Sequence, residues 1–142
     1  MKNNFNCEKL LRSISLVVLV GLFFYILYYT VFSRETGNEI NYNLELFWSY
    51  SQDSDITHYN FWMNIWNVIL FLPVGILIGL AFKKIKWWVV FIVGAFLSII
   101  IEVLQLVLRR GLCEIDDIFH NTLGCMMGFL IIRGVISIIK EK

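Results

Sequence analysis

Four polar side chains recur at helical spacing inside an otherwise apolar stretch, and they are the residues best able to do chemistry. Ser98, Glu102, Gln105 and Arg109 are spaced by 4, 3 and 4 positions, which places them on one face of a helix. A charged carboxylate near the centre of a bilayer costs roughly 3 kcal/mol on insertion scales. Glu102 therefore needs either a proton or a cationic partner if this helix crosses a membrane.

Two further stretches carry polar residues at the same spacing. One is Asp117, Asn121, Gly124 and Gly128, and the other is Asn60, Asn64 and Asn67. The three polar faces are predicted to meet in the outer half of the membrane and to form one polar pocket. The residues predicted to line it are Glu102, Gln105 and Asp117 first, then Asn121, Arg109, Arg110, Asn67 and Ser98. Hydrogen bonds that merely glue the helices together are the alternative interpretation.

Small residues predict where helices pack closely. Two GxxxG patterns are present, Gly75–Gly79 and Gly124–Gly128, and such patterns let another helix approach. Close approach along the second pattern is expected to bring Asp117 toward the polar face of the Glu102 helix. Pro73 removes one intrahelical hydrogen bond and is expected to kink its own helix.

The elements that must hold these residues are membrane helices. Hydrophobic residues make up 58% of the 142 residues and charged residues 16%, against roughly 45–50% and about 25% in soluble domains. The mean hydropathy is +0.71, and a soluble chain of this size could not bury so much apolar surface. The formal net charge of +1 points to no nucleic-acid partner. A soluble enzyme, a disordered regulator and a nucleic-acid binder are therefore excluded.

Four apolar runs are long enough to cross a ~30 Å hydrocarbon core, which takes about 20 helical residues. The predicted helices are residues 13–32, 64–82, 87–108 and 118–139, in one domain over residues 1–142 with an extracellular loop at residues 33–63. No small-x-small cleavage site follows the first run, so we expect a retained helix rather than a signal peptide. The predicted fold class is all-α, an integral membrane four-helix bundle.

The distribution of Lys and Arg predicts the orientation of this bundle. Nine basic residues flank one side: Lys2, Lys9, Arg12, Lys83, Lys84, Lys86, Arg133, Lys140 and Lys142. Three flank the other: Arg34, Arg109 and Arg110. Both termini are therefore predicted to be cytoplasmic. The outer loop is acidic and rich in aromatic residues, which are expected at the membrane interface; alternatively, Asn43–Tyr50 forms a short helix or re-entrant piece over the outer mouth.

The sequence lacks the residue patterns of other common functional sites, such as disulfides, metal sites, catalytic nucleophiles and nucleotide-binding loops. Cys7, Cys113 and Cys125 fall in three different compartments, which predicts no intramolecular disulfide and no thiolate metal site. There is no HExxH, GxSxG or Walker motif, so neither a metal nor a cofactor is expected, and no catalytic residue is assigned. His120 points away from the Asp117 face by roughly 100° and is interpreted as incidental.

The ordered set of motifs resembles the VanZ-like family. The motifs are Asn67-x-x-x-Phe71-x-Pro73-x-Gly75, Ser98-x-x-x-Glu102-x-x-Gln105 and Glu114-x-x-Asp117-x-x-x-Asn121-Thr122-x-Gly124-x-x-x-Gly128. The segment Asn43-Leu44-x-Leu46-Phe47 is similar to the Asn-Leu-x-Pro-Phe of that family, with Leu46 in place of Pro. The resemblance covers residues 13–132 and adds Glu114 to the pocket. An Arg before the acidic pair is common in the family, and here Arg109 or Arg110 is its counterpart.

The resemblance implies a small multi-pass protein of the bacterial cell membrane, mostly in Gram-positive species. The family is named for a member that raises resistance to teicoplanin. Our first hypothesis is a non-catalytic envelope protein whose pocket binds a membrane lipid, a lipid-linked envelope precursor or a lipoglycopeptide. The second is an intramembrane enzyme that acts on a lipid-linked substrate, with Glu102 and Asp117 as acid and base. The third is a small proton-coupled transporter that works as a homodimer packed through its glycine faces.

Overall fold

Four long helices make up most of the protein, as seen in a computed structural model that describes residues 2–50 and 54–140. They are α1 (Lys2–Leu27), α2 (Ser54–Ala81), α3 (Trp87–Leu108) and α4 (Ile115–Lys140). The chain of α1 continues into one π-helical turn, Tyr28–Phe32, and a 3₁₀ turn covers Trp48–Tyr50. Two three-residue strands, β1 (Asn41–Asn43) and β2 (Leu112–Glu114), are an addition to the predicted all-α fold.

All four helices, within the described ranges, are long and apolar enough to cross a membrane. The candidate spans are Glu8–Phe32, Asn60–Ala81, Trp87–Leu108 and Ile115–Ile139. Val17, Phe24 and Trp66 each leave more than half of their surface exposed, as expected for side chains that lipid covers. The prediction of four membrane-spanning helices is confirmed. The side of the membrane on which the termini lie stays a prediction.

Three helices begin earlier than the apolar runs indicated. α1 begins at Lys2 rather than at residue 13, α2 at Ser54 rather than at residue 64, and α4 at Ile115 rather than at residue 118. The apolar runs define only the part of a helix that lipid surrounds, whereas the polar turns ahead of them are helical as well. The predicted loop 33–63 is correspondingly shorter, and Asp53 of that loop lies outside the described residues.

α2 and α4 form the centre of the bundle. α1 packs on α2, α3 packs on α4, and the α2–α4 interface is the most extensive in the molecule. Phe71 and Val74 of α2 are buried against Cys125 and Phe129 of α4. The outer helices therefore reach each other mainly through the central pair.

Glycines let the backbones of α2 and α4 touch. A Cβ on Gly124 would overlap the carbonyl oxygen of Val68, and one on Gly128 would overlap that of Leu72. A Cβ on Gly75 would in the same way overlap the backbone of α4. The glycine patterns thus pack against each other within one chain, whereas the sequence had predicted an approach toward the polar face of α3. They are buried and offer no face to a second copy.

The short strands tie the α1–α2 connection to the α3–α4 turn. They pair in parallel, from Asn41 opposite Leu112 to Asn43 opposite Glu114. α3 ends at Leu108, and the next residue, Arg109, caps it with a left-handed backbone, φ 56°. This end reverses the chain directly into β2 and then α4, so that polar residues from three elements meet at one place.

Replacing Gly128 with Ala is expected to destabilise the protein, because the new methyl group must displace the backbone of α2. Overpacking of this kind costs about 1–3 kcal/mol, and the effect can be measured as a lower unfolding temperature in a neutral detergent. Gly134→Ala is the matched control on the same helix, since a Cβ there meets nothing within 4 Å. Equal unfolding temperatures for the two variants would contradict the backbone contact.

Candidate functional site

Three carboxyl groups and one guanidinium gather where α3, β2 and α4 meet. We call Glu102, Glu114, Asp117 and Arg34 the acid–arginine cluster. The positive charge of Arg34 acts electrostatically on all three acids. The acids come from α3, β2 and α4, and Arg34 follows the π-helical turn that ends α1. The predicted pocket residues Glu102, Glu114 and Asp117 are thus brought together, but their shared cation, Arg34, was not among the predicted residues.

Glu102 holds the turn between α3 and α4. Its carboxylate Oε2 accepts a hydrogen bond of 2.9 Å from the backbone N–H of Glu114, and the residue is only 2% exposed. Backbone groups next to a bilayer need partners inside the protein, and this carboxyl group supplies one where β2 interrupts the helical pattern. The positive charge that acts on Glu102 is that of Arg34, at a distance longer than an ion-pair contact.

Asp117 links α4 to α2. Its Oδ1 accepts a hydrogen bond of 2.6 Å from the side-chain amide of Asn67. Asp117 lies in the first turn of α4, where the helix macrodipole favours a carboxylate. The bond depends on the close approach of α2 and α4, and it orients Asn67 at the edge of the cluster.

Glu114 is fixed by an aromatic side chain from the α1–α2 connection. The indole N–H of Trp48 donates a hydrogen bond of 2.7 Å to its Oε1. Burial raises the pKa of Glu114, and so does the charge of Asp116, while the Trp48 bond and Arg34 oppose the rise. Burial and the neighbouring acids also raise the pKa of Cys113, so its thiol stays protonated and is a poor nucleophile or metal ligand.

Asp116 clamps the connection between α1 and α2 onto α4. Its Oδ1 accepts a hydrogen bond of 2.6 Å from the backbone N–H of Phe47. Its Oδ2 accepts from the N–H of Ser49 at 3.3 Å and from the Ser49 hydroxyl at 2.7 Å. Asn64 then donates to the Ser49 hydroxyl oxygen at 3.0 Å. Phe47 has a left-handed backbone, φ 63°, which costs roughly 1–3 kcal/mol, and these hydrogen bonds offset that cost.

His120 belongs to this clamp and is not incidental. It is 5% exposed, and its Nδ1 lies 2.6 Å from the backbone carbonyl oxygen of Asp116, to which it donates. Its Nε2 is then left to accept a hydrogen bond from the Tyr50 hydroxyl, at 2.8 Å. Segment 43–50 is therefore fastened to the first turns of α4 through Phe47, Ser49 and Tyr50. Trp48 and Tyr50 use their polar atoms inside the protein, in addition to any contact with the membrane interface.

Three residues that were predicted to line the pocket, Gln105, Asn121 and Ser98, lie apart from the cluster. Their side chains form hydrogen bonds between different elements of the fold. Gln105 donates to the carbonyl oxygen of Thr30 at 3.0 Å, which attaches α3 to the π-helical turn. Asn121 donates to the Ser98 hydroxyl oxygen at 2.9 Å, which attaches α4 to α3. The side-chain oxygens of Gln105 and Asn121 are buried without a hydrogen-bond partner among the described residues. These contacts match the interpretation of polar glue at these positions.

Arg109 and Arg110 do not face the acids, contrary to the sequence prediction. Arg109 donates to the backbone carbonyl oxygen of Asn38 at 3.3 Å, and its own carbonyl accepts from Gly37 at 2.7 Å. Arg110 donates to the carbonyl oxygen of Phe32 at 2.7 Å. Helical spacing cannot place either side chain, because α3 ends at Leu108 and the chain turns away from the helical path.

Arg34 occupies the position beside the acids that was predicted for Arg109 or Arg110. It is half-buried, and no hydrogen bond or ion pair within 4.0 Å holds its guanidinium among the described residues. Gly111 makes room for it: the backbone there has φ 119°, and a Cβ would collide with Nη1 of Arg34. Arg34 stands in a connection without any periodic pattern, so its spacing carried no signal.

A cavity of about 560 Å³ opens beside the cluster, between the end of α1 and the middle of α2. Arg34 and Asn67 form its polar part, together with Thr30. The rest of the lining is apolar or aromatic: Leu22, Tyr25, Tyr29, Met63, Trp66, Ile69, Leu70 and Pro73. Of the predicted pocket residues only Asn67 lines it, and Pro73, predicted for helix packing, belongs to its wall. α2 runs continuously through Pro73.

Metal binding finds no support in the described part of the chain, where no group of three or more His, Cys, Asp and Glu side chains could hold an ion. The two cysteines with described side chains, Cys113 and Cys125, are free thiols. The cluster combines one guanidinium donor with three carboxyl groups that accept hydrogen bonds.

Asp116→Ala is expected to release segment 43–50, because three hydrogen bonds to a carboxylate are lost. Hydrogen bonds to charged groups contribute about 1.5–3 kcal/mol, so the amides of Phe47 and Ser49 should exchange with deuterium at least about tenfold faster. Hydrogen exchange followed by mass spectrometry measures this rate. Glu45→Gln, an exposed change in the same segment, is the control. Unchanged exchange in Asp116→Ala would contradict the clamp.

Glu114→Gln is expected to raise the unfolding temperature at about pH 8 and to change it little at about pH 4. Because the folded protein raises the pKa of Glu114, the folded state binds that proton more tightly than the unfolded state. This contribution to stability is present at low pH and is lost as the pH rises through the raised pKa. Glutamine keeps the oxygen that Trp48 needs and removes the charge. An equal loss of stability at both pH values would contradict the raised pKa of Glu114 as the cause of the effect.

Comparison with known proteins agrees with the ordered motifs. A family model described as VanZ/LLP1 matches residues 13–139. The chain is also similar to Protein VanZ of Enterococcus faecium, with 30% identity over 118 residues, which cover 83% of this chain and 68% of that protein. No solved structure matches. The match over almost the whole chain shows that this protein, with its four apolar helices, belongs to the VanZ/LLP1 family.

Proposed function

We propose that this protein is a non-catalytic membrane protein of the bacterial cell envelope that binds a lipid-linked envelope molecule or a lipoglycopeptide. By this binding it contributes to resistance to teicoplanin, a glycopeptide that carries an acyl chain. The site is the 560 Å³ cavity beside the acid–arginine cluster. This cavity carries the proposal, because it joins a polar end to an apolar wall as an amphiphilic ligand requires.

The apolar wall suits an acyl or isoprenoid chain. Leu22 and Leu70 lie deeper in it, while Tyr25, Tyr29 and Trp66 stand at its rim with more than half of their surface exposed. The rim residues lie in the spans of α1 and α2, so the cavity faces the surface that lipid covers. A chain can therefore enter sideways from the bilayer without crossing water.

The polar end suits a head group that both accepts and donates hydrogen bonds. Arg34 offers donors in a planar fork, and none of them is engaged by another described side chain. Asn67 is held in place by Asp117. Pockets of about 300–1,000 Å³ with a few well-placed polar groups are the usual form of small-molecule sites. The Lys and Arg distribution favours the outer leaflet for this end, which is the side where envelope precursors and glycopeptides meet.

The homodimeric transporter hypothesis loses its interface, because the glycine faces proposed for it are occupied within the chain. The enzyme hypothesis assigned acid and base roles to Glu102 and Asp117. Neither side chain lines the cavity, and both make hydrogen bonds that join elements of the fold. The binding protein is therefore the function that the geometry favours.

A susceptibility test in a teicoplanin-sensitive Gram-positive host checks this proposal. Wild type, Arg34→Gln, Asp117→Asn and Glu102→Gln are compared at matched membrane levels, with teicoplanin and vancomycin side by side. Removing one charged hydrogen-bonding group weakens binding about tenfold or more. Arg34→Gln is therefore expected to lose protection against teicoplanin while the protein stays in the membrane.

Arg109→Gln is the matched control, because its guanidinium contacts only the carbonyl oxygen of Asn38 among the described residues. It should protect as wild type does. Full protection by Arg34→Gln would contradict the cavity as the site, and absence of protection by wild type would contradict the resistance role. Loss of Glu102→Gln from the membrane would show that Glu102 acts through folding alone.

A further inference from the structure

A second concave surface lies at the opposite end of the helices from the acid–arginine cluster. It is a cavity of about 540 Å³ between the beginning of α1 and the α2–α3 connection. Its cationic side chains are Lys9, Arg12, Lys83 and Lys84, and Glu8 is its one carboxylate. We call this surface the basic cavity. Its excess of positive charge is larger than the net charge of +1 of the whole chain.

Two of the cations remain available to a ligand. Lys83 forms an ion pair of 2.6 Å with Glu8. The guanidinium of Arg12 lies over the ring of Phe82, 5.2 Å from its centroid, a contact that leaves the N–H donors at its edge free to bind an acceptor. Lys84 is exposed and has no hydrogen bond or ion pair with any described residue.

The lysines are not needed to complete the end of α2. Carbonyl groups at a helix end require donors, and Arg133 of α4 supplies them. Its guanidinium donates to the carbonyl oxygens of Phe82 at 3.0 Å, Lys83 at 2.5 Å and Ile85 at 3.3 Å. Lys84 therefore has no partner at the helix end and points its charge to the cavity that it lines.

The basic cavity lies at the depth in the membrane where lipid head groups are found. The span of α2 ends at Ala81, and that of α3 begins at Trp87, so the cavity lies at the edge of the hydrocarbon core. Trp87 is 62% exposed and Trp88 is 47% exposed, and tryptophan at a membrane interface stands at head-group depth. Leu80 and Ala81 form an apolar wall that continues into the lipid-facing surface.

We propose that the basic cavity binds one anionic membrane phospholipid. Arg12 and Lys84 hold its phosphate, and its acyl chains lie along the apolar wall below. Basic pockets between transmembrane helices recognise anionic head groups through the same attraction, and the planar guanidinium of Arg12 matches phosphate oxygens in pairs. The site is independent of the proposed function, because it shares no residue with the cavity beside the acid–arginine cluster.

Lipid retention by the purified full-length protein tests the proposal. The protein is titrated in a neutral detergent with phosphatidylglycerol or with phosphatidylcholine of the same acyl chains, and bound lipid is counted by native mass spectrometry. Each cation near a membrane surface contributes about 1 kcal/mol to binding anionic lipid, which is about fivefold. Arg12→Gln and Lys84→Gln should each weaken phosphatidylglycerol binding about fivefold, and the double variant about 25-fold.

Lys86→Gln is the matched control, because Lys86 belongs to the same connection and is exposed but does not line the cavity. It should bind phosphatidylglycerol as wild type does. Equal weakening by Lys86→Gln, or equal retention of phosphatidylcholine by wild type, would overturn the proposal. Displacement of the lipid by glycerol phosphate at a similar concentration would show that the apolar wall contributes nothing and would also overturn it. If Arg12→Gln unfolds because it loses its contact with Phe82, Lys84→Gln alone decides the result.

Discussion

Contact between the backbones of α2 and α4 is the constraint on which the rest of this structure depends. Gly75, Gly124 and Gly128 remove the side chains that would keep the two helices apart. In lipid no hydrophobic force draws helices together, so association relies on close packing and on polar bonds between them. The glycine contact supplies the close packing. It also permits the polar bond, because only at this separation can Asn67 reach Asp117. Since α1 packs on α2 and α3 on α4, the same contact also positions both outer helices.

Carboxyl groups then organise the irregular backbone at one end of the bundle. Glu102 accepts from the N–H of Glu114, and Asp116 accepts from the N–H groups of Phe47 and Ser49. Non-helical backbone near a bilayer is tolerated only where its polar groups find partners inside the protein. Here acidic side chains are those partners. A set of acids that resembles an active site in the sequence is therefore in large part the framework that holds β2 and segment 43–50 in place.

Helical periodicity predicted what is local and missed what depends on chain reversals. The spans, the polar faces and the glycine faces follow from spacing along one helix, and the four spans are confirmed. Spacing does not say which neighbour a face meets, so the approach of α4 to α2 was not predicted. The left-handed end of α3 sends Arg109 away from the acids, and Arg34 enters from a connection with no pattern. No sequence pattern links Arg34 to Gly111, although the guanidinium of Arg34 fits there only because Gly111 has no Cβ.

The hydrogen bonds also separate polar residues that build the fold from those that remain free to bind. Hydrogen bonds to a partner from another element are made by Ser98, Asn121 and Glu102. None of these three residues lines the cavity beside the cluster. Arg34 lines that cavity, and none of its guanidinium donors is engaged by another described residue. A buried charge that binds nothing is costly, and one left half-buried beside three acids is stabilised only by long-range attraction. Of the polar groups in this region, the Arg34 guanidinium would therefore be stabilised most by hydrogen bonds to a ligand.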